Sequence, residues 1–386
     1  MLELVYLDHA ASTPMLERAL EALVTATREH FANPASAHRL GAAAEQALEK
    51  ARSAILETCG GMNRFELLFT SSATEANNTV LASLRRDKGY ALVSRAEHPS
   101  LVKPLLEAES PGIETRELPL LPSGAIDEYL LEGLLGPDCR LVALTHANNQ
   151  SGVLQDIPAI ASLVRRRAPG AHLHVDAAQS FAKLELRLEE LDVDSLSTAA
   201  HKMGGPRGIA ALFLRKGVEL APLLRGGGHE HGRRSSTPAV ALAVAFSVAV
   251  SEAAKQRTAW VERALAARDR LVVGLRTSGI DHCLPFVEGG APTSPYLVCL
   301  LLPGIPSDVV MRHLETRGVI VSSTSACSSR KRGPNPVLSA LHLPEALHAS
   351  VLRLSFGHTT TLEEVERGAI CLVEVCKDVS RLKDKR

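Results

Sequence analysis

Between residues 67 and 214 the chain repeats one pattern: a short apolar run without polar alternation, then a stretch at helical spacing. Residues 67–69, 91–93, 114–118, 141–144, 173–175, 194–196 and 209–214 read as strands. Residues 73–86, 100–109, 127–135 and 156–166 read as the helices between them. Strands that are apolar on both faces and separated by helices predict a mostly parallel sheet covered on both sides. Aromatic residues make up only 3% of the chain, so Ala, Leu and Val have to build that core.

Helical spacing also predicts helices over 16–31 and 39–57. Thr237 and Pro238 read as an N-cap followed by proline at the first helical position, opening a long helix towards Leu275. After that helix the order of elements changes. Strands at 296–301, 319–321 and 351–355, a helix over 306–316 and a last helix from Thr361 predict a smaller α+β unit. The chain's 386 residues suffice for two cores. The expected division is a large domain over 15–256 and a small one made of 1–14 and 257–386, with the N-terminal residues returning to the latter.

Lys plus Arg equals Asp plus Glu at 43 each, which argues against nucleic-acid or membrane attraction by a global field. The apolar run 239–250 is too short to cross a bilayer. The seven cysteines are odd in number and contain no C-x-x-C pair, so a disulfide framework is not expected and a reducing, cytoplasmic location is. Cys299, Cys371 and Cys376 fall in apolar patterns and read as core.

In an open α/β sheet, ligands gather outside the carboxyl ends of the strands. Asp176 closes one such strand, and Lys202 follows one strand later among small residues. An acid able to hold a pyridinium nitrogen protonated and a lysine able to form an imine suit pyridoxal 5'-phosphate. Ser71, Ser72 and Thr74 open a helix after a strand and can hold a phosphate there, although an ordinary Ser/Thr cap accounts equally for that segment. His98 gains weight only from its place at a strand end. Asn148 and Asn149 can be turn residues. Gln179 can donate to the ring oxygen and His201 to the phosphate. His229, Glu230 and His231 are adjacent in one loop, a spacing that rarely converges three ligands on a metal. His172 and His174 share one face of a strand and are expected to meet a helix or the cofactor edge.

Several strings taken in order carry a resemblance. They are Tyr6-Leu7-Asp8-His9-Ala10-Ala11-Ser12-Thr13-Pro14, Ala73-Thr74-Glu75-Ala76-Asn77-Asn78, Ala96-Glu97-His98 and Asn148-Asn149-Gln150-Ser151-Gly152. His174-Val175-Asp176-Ala177-Ala178-Gln179-Ser180, His201-Lys202, Gly226-Gly227-Gly228-His229-Glu230, Ser325-Ala326-Cys327 and Arg353-Leu354-Ser355 complete them. Together they resemble the cysteine desulfurases, enzymes of the class V aminotransferase fold, and the length after Cys327 resembles the iron–sulfur-cluster and nitrogen-fixation subgroup.

The resemblance implies an α/β protein of aminotransferase fold type I: a large domain with a mostly parallel central sheet, plus a smaller α+β domain. It implies that L-cysteine becomes L-alanine, with the sulfur left as a persulfide on Cys327 for an acceptor protein. Lys202 would hold the cofactor and take the substrate's α-proton, Asp176 would pair with the ring nitrogen, and His98 would stack on the ring and assist proton transfer. Gln179 and Asn149 would contact the ring oxygen and substrate, Thr74 and His201 the phosphate, and Arg353 the substrate carboxylate. Thr237 would reach the phosphate of a neighbouring subunit, implying a homodimer. Arg330, Lys331 and Arg332 are expected to ionise the Cys327 thiol. Selenocysteine lyase, another class V aminotransferase-like enzyme and a degenerate scaffold remain as alternatives. The chain departs from the family at Ala199, where serine is usual, at Ser72, Ser236 and Thr324, where glycine is usual, and at Gln150, where glutamate is usual.

Overall fold

The computed structural model describes residues 4–84, 88–106, 113–323 and 334–384. Seven strands form the central sheet in the order Phe65–Thr70, Ala210–Arg215, Ser195–Ala199, His172–Asp176, Cys139–Thr145, Tyr90–Val93 and Glu114–Glu117. Ala210–Arg215 runs antiparallel to both its neighbours, and the remaining strands share one direction. Thr70, Val93, Thr145, Asp176 and Ala199 therefore end at one edge of the sheet.

Both faces are apolar, as the unbroken hydrophobic runs require. Leu92, Val142, Leu144 and Leu173 pack with Ile55, Ile160 and Val164 on one side. Ala91, Val93, Leu141 and Ala143 pack with Leu81 and Leu101 on the other. The outer strand Glu114–Glu117 is the exception, with partly exposed charged side chains that discourage pairing with a further strand.

Helix Val240–Ser278 starts later than expected. Its N-cap is Ala239, without a side-chain hydrogen bond, so Thr237 does not cap it and Pro238 is not its first residue. The reason is local: Pro238 offers its carbonyl to Val240 in a tight turn, and Ala239 has non-helical angles. Just before it, Ser236 adopts φ 137°, a region that glycine enters without strain and serine does not.

A second sheet pairs Ser322–Ser323, Val351–Ser355 and Leu297–Leu301 antiparallel. Val5–Tyr6 returns from the N-terminus to pair with Val319–Ile320. The segment after it is the seam between the sheets. Ala10 N–H donates to Ser355 Oγ, and Thr13 N–H donates to the His201 carbonyl. Among the described residues no helix is long and apolar enough to cross a membrane.

Candidate active site

The strand-end edge of the central sheet and the seam beside it bound the candidate cleft, and Asp176 stands at that edge. It is 4% exposed at the end of its strand, where Oδ1 accepts from Ala178 N–H at 2.9 Å and Oδ2 from Asn77 Nδ2 at 2.8 Å. Lys202 sits on a single helical turn directly after Ala199. Its Nζ donates to the carbonyls of Ala10 at 2.6 Å and Ala11 at 2.8 Å. Loss of hydration, then the Arg353 charge, lowers the Lys202 amine to about 8, against the opposite pull of Asp176 and Asp8. An amine so tuned has a substantial neutral fraction near physiological pH, as a nucleophile or base needs.

His98 is exposed just beyond the end of strand Tyr90–Val93, and its Nδ1 is tied to Ser100 Oγ at 2.7 Å. Desolvation lowers its pKa, with Asp176 raising and Lys202 lowering it further. Gln179 is buried and donates to the Ala10 carbonyl at 2.9 Å, so Ala10 O receives both Gln179 and Lys202. Asn148 takes the turn role, with Oδ1 accepting from Gln150 and Ser151 N–H. Asn149 contributes its carbonyl to Arg353 at 3.0 Å.

Arg353 reaches the cleft from the second sheet. Its Nη2 donates to Asp8 at 2.7 Å, while its buried Nε has no partner. A guanidinium held by one carbonyl and one carboxylate can exchange them for a substrate carboxylate, which has the right chemistry for it.

The other end of the cleft is built differently. Ser72 Oγ caps helix Ala73–Leu84 by accepting from Glu75 N–H, and Thr74 is exposed in its first turn. Ser71 gives both N–H and hydroxyl to Glu75, which also holds Arg234 at 2.8 and 3.2 Å. Burial alone would raise the Glu75 pKa, but these donors hold it below its ordinary value. His201 approaches Ser12 Oγ at 3.2 Å and is lowered to about 4, first by burial and then by Lys202.

Eight expected residues thus gather at the sheet edge or the seam: Thr74, His98, Asn149, Asp176, Gln179, His201, Lys202 and Arg353. Thr237 is exposed on a different surface, beside Phe31, Pro238 and Leu242. Cys327, with Thr324, Arg330, Lys331 and Arg332, lies outside the described residues. Glu230 turns inward from the glycine loop to pair with buried Arg52 at 2.8 Å and to accept from Phe69 N–H, away from exposed His231. Among the described residues no cluster suited to a metal is found. Cys299 and Cys376 are core residues, but Cys371 is only half-buried, near Arg317.

Three contributors escaped the sequence reading. Asp8 pairs with Arg353 across almost the whole chain. Lys183 is a second buried lysine, with Nζ 5.4 Å from the Tyr296 ring centroid, and burial and then Lys202 lower it to about 7. Asn77 holds Asp176. Its signal was present: it falls on the apolar stripe of its helix with Ala76, Val80 and Leu81.

The class-V aminotransferase family matches residues 5–367. The chain belongs to that family. It is 36% identical to a cysteine desulfurase IscS of Methylococcus capsulatus, over 98% of this chain and 93% of that protein. A solved NifS-like protein superposes with a TM-score of 0.88 at 28% identity, covering 97% of this chain and all of the other. A structure described as SspA in complex with cysteine gives 0.78 at 30% identity, covering 91% of this chain and 98% of that one. Family members use pyridoxal 5'-phosphate, and the donor set fits it: a buried carboxylate, a lysine whose amine is lowered to about 8, a hydroxyl in the first turn of a helix, and an imidazole on the turn that carries the lysine.

Proposed function

We propose that the chain is a pyridoxal phosphate-dependent cysteine desulfurase that converts L-cysteine to L-alanine. It passes the sulfur through Cys327 to an acceptor protein. The observation that carries this reading is that buried Asp176, Lys202 with its amine lowered to about 8, and Arg353 from the second sheet lie close enough at the strand ends and seam for the two charges to act on that amine. The names of the relatives support the choice of substrate.

When bound, the cofactor draws electrons from the substrate's α-carbon and so acidifies its proton. Asp176 holds the ring nitrogen, and Thr74 and His201 hold the phosphate. Arg353 orients the substrate carboxylate with Asn149 beside it, and Gln179 meets the ring oxygen. Lys202 carries the cofactor and takes the α-proton, and His98 covers the ring. The Cys327 thiolate attacks the substrate sulfur: a sulfur–sulfur bond forms and the carbon–sulfur bond breaks. The released electron pair stays with the carbon that becomes the alanine methyl and is there protonated, and Lys202 returns a proton to the α-carbon. Thr237, exposed on its own surface, serves the phosphate of a second copy in a homodimer. The domains divide at 15–256 against 1–14 with 257–386, and the cytoplasm is the compartment that keeps Cys327 reduced.

The test is to incubate the holoenzyme with L-cysteine, quantify alanine and weigh the peptide containing Cys327. Equimolar alanine and one added sulfur atom on Cys327 are expected. A keto acid product, or alanine formed without Cys327 and only from L-selenocysteine, would overturn the reading.

A further inference from the structure

Behind Asp176 lies a buried polar chain that the proposed chemistry does not use directly. Asn77 is its node, fully buried, with four side-chain hydrogen bonds. Nδ2 meets Asp176 Oδ2 at 2.8 Å and Ser100 Oγ at 2.9 Å. Oδ1 meets His174 Nε2 at 3.0 Å and Ser197 Oγ at 2.5 Å. His174 Nδ1 and His172 Nε2 both meet Ser195 Oγ at 2.7 Å.

The protons in this chain are assigned from two facts: a carboxylate accepts and does not donate, and burial lowers His174 to about 3, so that it carries one proton. The amide nitrogen of Asn77 must face Asp176, because the flipped amide would set oxygen against oxygen. Its Oδ1 then accepts from His174 Nε2–H. His174 Nδ1 is bare and accepts the Ser195 hydroxyl proton, and Ser195 in turn accepts from His172 Nε2–H. On the other branch, Asn77 Nδ2 only donates, so Ser100 Oγ accepts there. The Ser100 N–H points at His98 Nδ1 at 3.2 Å, which makes that nitrogen an acceptor, so the Ser100 hydroxyl proton is directed to it as well.

We infer that Asn77 is a positioning residue that links Asp176 to His98 through Ser100 and fixes neutral His98 with its proton on Nε2. This rests on the reading of His98 and Asp176 above and assigns His98 a direction. Its Nε2 is a donor, and a second proton on Nδ1 would have to displace two donors. Proton acceptance from the substrate is therefore left to Lys202. A fully matched buried network also holds both side chains in one geometry before any ligand arrives.

The test uses the full chain labelled with 15N-histidine, with and without pyridoxal phosphate, and long-range 1H–15N spectra assigned with His98→Gln. The wild type is expected to show a bare Nδ1 and a protonated Nε2 on His98. Ser100→Ala removes one donor opposing protonation, so proton affinity at His98 should rise about tenfold and an Nδ1–H population should emerge. Ser100→Thr, which keeps the hydroxyl, should restore the wild-type pattern. Asn77→Leu should loosen the tautomer in the same way. If that variant does not fold, the Ser100 pair decides. An Nδ1–H or doubly protonated His98 in the wild type at neutral pH overturns the inference, as does a Ser100→Ala spectrum identical to wild type. The spectra need no substrate, so a protein without desulfurase turnover refutes the proposed function and leaves this measurement standing.

Discussion

The two ends of the cleft are made in opposite ways. At the Asp176 end, the carboxylate, Asn77, His174 and Ser197 are buried and hydrogen-bonded to one another. At the Thr74 end, the hydroxyl is exposed, and the strongest contacts clamp Glu75 to a loop arginine. Under the proposed function, the contrast follows what each end would do for the cofactor. A ring nitrogen is tuned by a charge in a dry, fixed setting, where electrostatics act at full strength and need no rearrangement. A phosphate dianion is strongly hydrated and arrives from solvent. An open helix start can accept it, and a second subunit can complete its shell. Damage at the buried end should therefore reach both stability and chemistry, and damage at the open end affinity alone.

Asp176→Ala breaks the buried end most severely. Turnover should fall about 10²–10³-fold, the size of losing one preorganised electrostatic partner. The cofactor-free variant should also be less stable by about 1–3 kcal/mol, because a buried Asn77 N–H is left without an acceptor. Steady-state alanine production and denaturant titration of the apo-protein read the two effects. A variant that loses turnover but keeps full apo-stability would show that the buried chain supports only the bound ligand.

Glu97 offers the next largest effect. It is buried beside the strand end, hydrogen-bonded with Thr145, and burial pushes it up to about 8, with Asp176 and Glu117 raising it further. Its folded pKa lies above its unfolded one, near 4.5. The native state therefore binds the extra proton, and the resulting stability declines as pH rises from about 4.5 and is gone above about 8. The slope is about 1.4 kcal/mol per pH unit while both limits are far away. Glu97→Gln should flatten the fall in apo-protein stability between pH 6 and 8, by roughly 2 kcal/mol over that interval. Equal slopes for variant and wild type would mean that water or a shifted side chain relieves the buried charge.

The sequence made some of this legible and hid the rest for identifiable reasons. The sheet could be read because strands covered on both faces show no alternation. Asp176 and Lys202 could be read because strand ends in such a sheet converge. Asn77 was one polar residue on an apolar helical stripe, and its partner was fixed only once that stripe faced Asp176. The Asp8–Arg353 pair joins residues 345 positions apart, which no local pattern can disclose. The start of helix Val240–Ser278 was misplaced because Thr-Pro is a good local signal that a neighbouring turn overrides. Ser236 shows the converse: an expected glycine position kept its unusual φ and accepted a side chain.

At the open end, Thr74→Ala should leave apo-stability within about 0.5 kcal/mol, the usual range for an exposed position. It should weaken pyridoxal phosphate affinity about tenfold, the worth of one charge-assisted hydrogen bond. Equilibrium dialysis of the apo-protein reads it. A loss of thermal stability comparable to that of Asp176→Ala would erase the distinction between the two ends.

Ala199→Ser asks whether the open end can be improved. Ala199 is 4% exposed at the close of its strand, φ −133° and ψ 127°, immediately before the turn carrying His201 and Lys202. That backbone tolerates serine without strain. A serine hydroxyl aimed at the phosphate should tighten the cofactor by about 1 kcal/mol, roughly fivefold, while turnover at saturating cofactor stays the same. A gain in affinity with unchanged turnover places the missing hydroxyl wholly at the phosphate end. Unchanged affinity would mean that the hydroxyl does not reach the phosphate, and a changed turnover would mean that the single turn holding Lys202 has shifted.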